Sequence, residues 1–222
     1  NETEKEEELR LMRENPYRAS ATDFKKIPGS PIAYWISNRA RNCFENGEPF
    51  SNTAEPRLGM ATGNNDIYIR NWHEVSFREI GFGLTRKLAR ESGLKWFPYN
   101  KGGDFRKWYG NNEYVVNWEN DGNLLQNTVH PSGTRIWAHN FNLEYIFRQS
   151  ITWTFISSSC FGVRLSPQGF LFDVAGSSVF PETNSIPPLL GFLGSKVAFL
   201  LLKALNPTLN FQAGNIGDLP LL

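Results

Sequence analysis

The spacing of apolar residues predicts strands in two parts of the chain. Ile151–Ile156 (ITWTFI) alternates apolar and polar positions, as a strand with one buried face does. Val163-Arg164-Leu165 and Phe170-Leu171-Phe172 flank Ser166-Pro167-Gln168-Gly169, whose proline and glycine predict a β-hairpin turn. Earlier in the chain, Ile67-Tyr68-Ile69-Arg70 follows a turn rich in glycine and asparagine and predicts a further strand.

Other segments have the composition of helices and loops. Residues 1–14 (NETEKEEELRLMRE) predict a charged, solvated helix or linker, which Asn15-Pro16-Tyr17 ends. Ile32–Phe44 places aromatic residues around a short helix that we expect to pack against the domain. The polar stretch from Asp121 to Asn142 predicts a long loop, where a recognition specificity can reside.

The longest apolar run, Leu189–Leu205, predicts one core helix that begins after Pro187-Pro188. Lys196 and Lys203 lie two turns apart, so they share a polar stripe opposite the leucines. The run is too short and too charged to indicate a membrane span. We therefore expect no membrane partner.

Together these elements predict an α+β fold with a mixed, mainly antiparallel sheet, flanking helices and long loops, plus an N-terminal helical segment. The 222 residues are enough for one large domain. The sequence changes character near Pro56, so we place a main domain at 51–222 and a helical connector at 1–50.

The formal net charge is only +1, but it is unevenly distributed. Residues 57–110 contain ten basic and five acidic residues, and this excess of five can form an electrostatic footprint for a phosphate backbone. A solvated surface of mixed sign is the alternative interpretation. Cys43 and Cys160 lack disulfide or zinc-ligand spacing, which favours a reduced, cytoplasmic protein without a metal site.

A segment that mixes aromatic and basic residues is the strongest functional signal. Lys95–Asn120 (KWFPYNKGGDFRKWYGNNEYVVNWEN) contains eight aromatic residues, four lysines or arginines, and a Gly-Gly pair. Aromatic faces stack on bases, cations neutralise phosphate, and glycines let the backbone approach a polyanion. A structural role for the aromatic residues is the competing interpretation.

Sequence signatures of catalysis are missing. The chain has no GxxxxGK[ST] loop, no GxSxG elbow and no HExxH helix, and no glycine-rich turn with a downstream acid suits S-adenosylmethionine. Asn15-Pro16-Tyr17 lacks one proline of the Asn-Pro-Pro-Tyr motif of amino-methyltransferases, and we interpret it as a helix stop. The chain therefore predicts a binding protein rather than a catalyst, with no cofactor of its own.

Several long blocks resemble one family of enzymes. Pro56–Tyr68 resembles the RxGxxTGxNxxF signature that opens the C-terminal specificity regions of adenine-specific DNA methyltransferases and type IIG-like restriction-modification enzymes, with Tyr68 where phenylalanine is usual. The run Asn206–Pro220 is similar to the segment that closes such regions. Ile27–Trp35, Lys95–Gly122 and Asn206–Ile216 resemble the PglX-type methyltransferases of BREX phage-defence systems.

This resemblance implies a target-recognition region of an N6-adenine DNA methyltransferase that uses S-adenosylmethionine. It implies three partners: double-stranded DNA, an upstream methyltransferase domain of the same polypeptide and other subunits of the defence system. Catalytic and cofactor motifs of the family lie upstream, so we expect no methyl transfer by this region alone.

Nine residues are candidates for DNA contact within this resemblance. Basic side chains would contact phosphates or guanine edges: Lys95, Lys101, Arg106 and Lys107. Trp108 or Tyr109 would pack against a sugar or an unstacked base, while Trp96, Phe97 and Trp118 belong to the core. Polar contacts would come from a turn bounded by glycines: Arg57, Thr62 and Asn64. An aromatic-rich carbohydrate- or peptide-binding module and a self-contained nuclease remain the alternatives.

Overall fold

A computed structural model describes residues 6, 7, 10 and 20–222. Most of the predicted helix over 1–14, and its stop at Asn15-Pro16-Tyr17, lie outside these residues. Glu6, Glu7 and Arg10 are helical and exposed.

Residues 20–222 form eight α-helices, several of which are short. Serine, threonine or asparagine side chains cap several of them by accepting hydrogen bonds from first-turn amides, as Ser37 does from Ala40 and Ser195 from Ala198. The helices are α1 Ala21–Phe24, α2 Asn38–Asn46, α3 Asn65–Tyr68, α4 Arg86–Glu91, α5 Glu119–Asn127, α6 Ile186–Leu193, α7 Lys196–Leu205 and α8 Ala213–Gly217.

Ten strands complete the described fold: β1 Glu48–Pro49, β2 Pro56–Arg57, β3 Ile69–Asn71, β4 Trp96–Asn100, β5 Tyr114–Asn117, β6 Ser150–Trp153, β7 Val163–Ser166, β8 Leu171–Phe172, β9 Ser178–Val179 and β10 Pro220–Leu221. One sheet has the order β2-β9-β6-β7 and is antiparallel. The other has the order β3-β5-β4-β8, in which only β4 and β8 are parallel. Strands β1 and β10 form a separate pair. The predicted α+β class with a mainly antiparallel, mixed sheet is confirmed.

Each large sheet has its own hydrophobic core. The first core joins β6, β7 and β9 to α6, α7 and α8, and residues 27–54 pack into it through Ile27, Ile36 and Phe50. The second core surrounds β4, β5 and β8 and contains the predicted core residues Phe97 and Trp118. Trp96 is also buried, as predicted, in a small cluster with Ile80 and Val115. The domain boundary near residue 50 stays a prediction.

The predicted hairpin between β7 and β8 is wrong. β7 pairs with β6 in one sheet, whereas β8 pairs with β4 in the other. The glycine of the intervening turn, Gly169, has φ +101° and lies against the backbone of Gly83, where a Cβ would come within 2.6 Å. The turn therefore carries the chain from one sheet to the other.

The single helix predicted over Leu189–Leu205 is two helices. α6 ends at Leu193 and α7 begins at Lys196, with a bend of 74° between them. Lys196 and Lys203 share the face of α7 opposite the buried Ala198, Leu201 and Leu202. The predicted stripe is not purely polar, since Leu200 on that face is 50% exposed. Among the described residues no single helix is long and apolar enough to cross a membrane, although the bent pair passes that test jointly by length and composition.

Two other elements begin later than the sequence indicates. The strand predicted at Ile67–Arg70 is a helical turn, α3, followed by β3 from Ile69, because Asn64 accepts a hydrogen bond from the Ile67 amide. The short helix predicted within Ile32–Phe44 is α2, which starts at Asn38.

Candidate nucleic-acid interface

A buried carboxylate organises the end of β4. Asp173, which is 6% exposed, accepts hydrogen bonds from Tyr99 Oη at 2.7 Å, Lys101 Nζ at 2.9 Å and Ala175 N at 2.8 Å. Burial, and next the charge and hydrogen bond of Asp173, raise the pKa of Tyr99 well above its ordinary value. Tyr99 therefore stays protonated and keeps donating to Asp173. The sequence reasoning missed Asp173, since a single acid beside a short strand carries no distinguishing signal.

We call residues 56–68, which carry the family signature, the signature turn. Backbone hydrogen bonds fix this turn to the residues on either side of Asp173. Met60 N donates to Phe172 O at 3.0 Å, and Val174 N donates to Met60 O at 3.1 Å. Gly59 lies so close to the backbone of Phe172 that a Cβ would come within 2.2 Å of its carbonyl oxygen. The first glycine of the signature thus serves a close backbone approach.

Two predicted contact residues in the signature turn have structural partners. Thr62 is buried and donates from Oγ1 to Asn65 Oδ1 at 2.7 Å. Asn64 is half-buried and caps α3. Lys101 joins them, since its Nζ lies 3.3 Å from Asn65 Oδ1 as well as beside Asp173. Structure thus brings Thr62, Asn64 and Lys101 together, although their side chains already have partners within the fold.

Residues 101–112 form a loop that carries four further candidates, and we call it the basic loop. Arg106, Lys107, Trp108 and Tyr109 are all exposed. The loop has left-handed backbone at several positions, including Trp108 with φ +83° and Gly103 with φ +123°. Such a backbone is strained outside glycine and persists only where surrounding contacts hold it.

Contacts with the first core anchor the middle of the basic loop. Lys107 Nζ donates to Gly194 O at 2.5 Å, at the C-terminal end of α6, where the helix dipole favours a cation. The Trp108 ring covers Gly194, where a Cβ would come within 2.7 Å of the indole. Arg106 has neither a hydrogen bond nor an ion pair within the described part of the chain. Arg106 is therefore the cation of this loop that is available to a phosphate.

A buried arginine lies next to the basic loop. Arg164 of β7 is 1% exposed, and within the described part of the chain its guanidinium makes one hydrogen bond, from Nη1 to Thr154 Oγ1 at 3.3 Å. Burial lowers the pKa of Arg164 to about 10, while the charge of Glu113 opposes that shift. Leu165 N donates to Trp108 O at 2.9 Å, which fixes Trp108 beside β7.

The remaining two candidates lie elsewhere. Arg57 is half-buried, pairs with Glu55, donates to Tyr145 Oη at 2.9 Å and stacks on that ring. Lys95 is exposed but precedes β4, whereas Lys101 follows it, so about 20 Å of strand separates their backbones. The nine candidates therefore do not converge on one point, and their assignment to DNA contact stays a prediction.

The long loop predicted from Asp121 to Asn142 is wrong at its start, because α5 extends to Asn127. The remainder contains a hairpin, residues 128–137, which we call the hairpin arm. Val129 pairs with Ile136, His130 N donates to Arg135 O at 2.8 Å, and Trp137 N donates to Thr128 O at 2.9 Å. All of residues 131–135 at its tip are exposed. Within the described part of the chain, the Arg135 guanidinium donates to the carbonyl oxygens of Ile136 and Trp137 alone, at 3.2 and 3.4 Å.

The hairpin arm lies beside the signature turn. Ala61 and His139 exchange backbone hydrogen bonds of 2.9 and 2.8 Å, and Gly63 packs on the Trp137 indole, where a Cβ would come within 2.5 Å. From Gly122 to Leu143 the chain contains no acidic residue. This absence of acids is the sequence signal that points to the arm and to Arg135.

Comparisons with known proteins identify the enzymes to which the chain is related. It is 45% identical over 207 residues, 92% of its length, to the adenine-specific methyltransferase PglX of Lacticaseibacillus casei (strain Zhang). It is 38% identical over its whole length to the adenine-specific methyltransferase BrxX of Escherichia coli O9:H4 (strain HS). No protein-family model matches the chain.

The chain is therefore homologous to a fragment of adenine-specific methyltransferases, and it spans 17% of the length of each of these curated relatives. Its relatives PglX and BrxX confirm the family resemblance predicted from its sequence blocks, for this fragment of their length.

The glycines of the signature turn do not form a cradle for S-adenosylmethionine. Protein atoms already fill the space above Gly59 and Gly63, at Phe172 and Trp137 respectively. The carboxylate of S-adenosylmethionine would need that space to be open. These residues do not fit the cofactor.

Proposed function

We propose that this chain is the DNA target-recognition region of a site-specific adenine-N6 DNA methyltransferase of phage defence. It binds duplex DNA and reads the bases around the target. The rest of the longer polypeptide flips the adenine and transfers the methyl group from S-adenosylmethionine.

The hairpin arm is the observation that carries this proposal. A two-stranded ribbon fits the major groove, where an arginine can donate two hydrogen bonds to a guanine edge. The arm is a short hairpin with one β-bridge, its tip carries Arg135, and no acid within it repels phosphate. The signature turn supports it through Gly63 and Ala61.

The basic loop supplies the second contact in this proposal. Arg106 lies exposed on this loop and neutralises a phosphate without reading sequence. The two surfaces thus divide the work, because base contacts specify and phosphate contacts position.

Binding assays on the full-length methyltransferase test both assignments. Base preferences are measured by selection from randomised duplexes, and affinity is measured between about 50 and 200 mM salt. Arg106→Ala should weaken binding to all sequences and reduce the slope of log K against log salt by about 0.9. Arg135→Ala should lose about 1–3 kcal/mol of discrimination at one base pair.

Arg90→Ala is the matched control, since Arg90 is an exposed arginine on α4. It should change neither the salt slope nor the base preference. If the wild-type enzyme binds duplex DNA without salt dependence, the proposed function fails. If the wild-type enzyme binds DNA with the expected salt dependence but Arg106→Ala and Arg135→Ala behave like wild type, the proposed function stands and the residue assignments fail.

A further inference from the structure

An aromatic cleft of about 380 Å³ opens on the face of the second sheet. Its floor includes Pro98 of β4 and Val115 of β5. Its walls are mainly aromatic: Trp72, Phe77, Phe82, Tyr109, Tyr114 and Phe170. We call this surface the aromatic cleft.

Much of this aromatic surface is exposed. Phe77 is 68% exposed and Tyr109 69%, while Trp72 and Phe82 are each 48% exposed. The Phe77 and Phe82 rings lie 5.2 Å apart at an angle of 32°, so they form one continuous apolar wall. Clustered exposed aromatic residues mark interaction surfaces, and aromatic anchors dominate the energy of protein interfaces.

The cleft is held open by its own backbone. Gly81 N donates to Trp96 O at 2.9 Å, and Ile80 beside it is buried. At the other end of the segment, the Glu74 carboxylate accepts hydrogen bonds from the Asn71 amide and side chain. An occupant therefore meets a preformed surface and little ordering is required on binding.

The lining of the aromatic cleft does not favour a phosphate backbone as its occupant. Within the described part of the chain no charged residue lines it. The exposed charged residues within two positions of its lining residues are Glu74, Arg78, Glu79, Lys107 and Glu113, which are three acids and two bases. A duplex would therefore gain little from phosphate neutralisation at this apolar surface. Apolar anchors with a polar, charged rim are the anatomy of a protein interface.

We propose that the aromatic cleft docks the remainder of the longer polypeptide through an apolar side chain. The relatives supply such an occupant, because this chain spans only 17% of their length. The proposal rests on that longer polypeptide and not on DNA binding. It places Tyr109 in an interface within the protein, in place of the DNA contact predicted from the sequence.

Photo-crosslinking in the full-length enzyme tests this docking. A benzophenone amino acid is placed at position 77, and at position 32 as the control, since Ile32 is equally exposed at 72% but lies outside the aromatic cleft. We expect a crosslink within one chain from position 77 to a residue outside this region, with a yield independent of protein concentration. Position 32 should give none. A crosslink to DNA, a crosslink to a second copy, or no crosslink overturns the proposal.

A pair of charge variants gives a second readout. Phe77→Glu in the full-length enzyme should raise the hydrogen-exchange rates of residues 72–82 and of the crosslinked segment at least tenfold, whereas Ile32→Glu should leave both unchanged. Because Phe77 is largely exposed, the fold itself should tolerate the change. The Phe77→Glu enzyme should bind DNA with the same affinity and salt dependence as wild type. The exchange measurement therefore tests the docking proposal, and the DNA-binding assay separately tests the proposed function. Unchanged exchange in Phe77→Glu overturns the proposal.

Discussion

Replacing Asp173 tests whether one buried carboxylate joins the signature turn to the end of β4. In Asp173→Ala, the buried Tyr99 hydroxyl retains only the Met60 carbonyl, 3.3 Å away, as an acceptor. The amide of Ala175 loses its acceptor as well. Each of these groups costs about 1–3 kcal/mol when left unsatisfied.

Two further effects set how much the free energy of unfolding falls in Asp173→Ala. Lys101 adds little, because 23% of its side chain is exposed and its ammonium group can return to water. Removing the carboxylate also removes its dehydration cost, which offsets part of the loss. We therefore expect the free energy of unfolding to fall by about 3–5 kcal/mol. The melting temperature should fall by roughly 6–20 °C.

Urea denaturation followed by tryptophan fluorescence measures this change. Asp173→Asn keeps the shape and one acceptor oxygen, so we expect a smaller loss of about 1–3 kcal/mol. Asp104→Ala is the control, since Asp104 is an exposed acid on the basic loop, and it should change stability by less than about 0.5 kcal/mol. A loss below about 1 kcal/mol in Asp173→Ala would refute the reasoning.

The stability of the protein should depend on pH through two hydrogen-bonded groups, Tyr99 and Asp121. Because burial and Asp173 raise the pKa of Tyr99, the folded state keeps this proton longer, so its stabilisation persists below about pH 10 and declines above it. Tyr99→Phe should lack this decline in urea titrations up to about pH 11, and equal declines in both proteins contradict the assignment. Burial alone would raise the pKa of Asp121, but the hydrogen bonds and charge of Arg86 lower it below 3.8. The Arg86–Asp121 pair therefore stabilises the fold above that pH, and this contribution is lost as the pH falls further. Arg86→Ala should therefore cost about 1–2 kcal/mol at neutral pH and less near pH 3, with Lys87→Ala as the neutral control; equal losses at both pH values argue against the pair.

Local patterns were sufficient to predict that an element is present but not how it is buried. The alternation over Ile151–Ile156 predicts a strand with one buried face, whereas β6 is Ser150–Trp153 and is buried on both faces. On α7 the lysines share a face as helix periodicity requires, but Leu200 lies exposed between them. The sequence blocks by themselves also predicted the family resemblance, and its relatives align with nearly the whole chain.

Only the tertiary structure decided which segments meet. Neighbours in sequence such as β7 and β8 join different sheets, because strand partners are chosen by long-range burial and not by the turn between them. The helix break at Gly194 is covered by Trp108 and capped by Lys107, 86 or more residues earlier in the chain. Asp173 becomes the acceptor for Tyr99 and Lys101 for the same reason: buried polar groups must find partners, and folding alone brings those partners within reach.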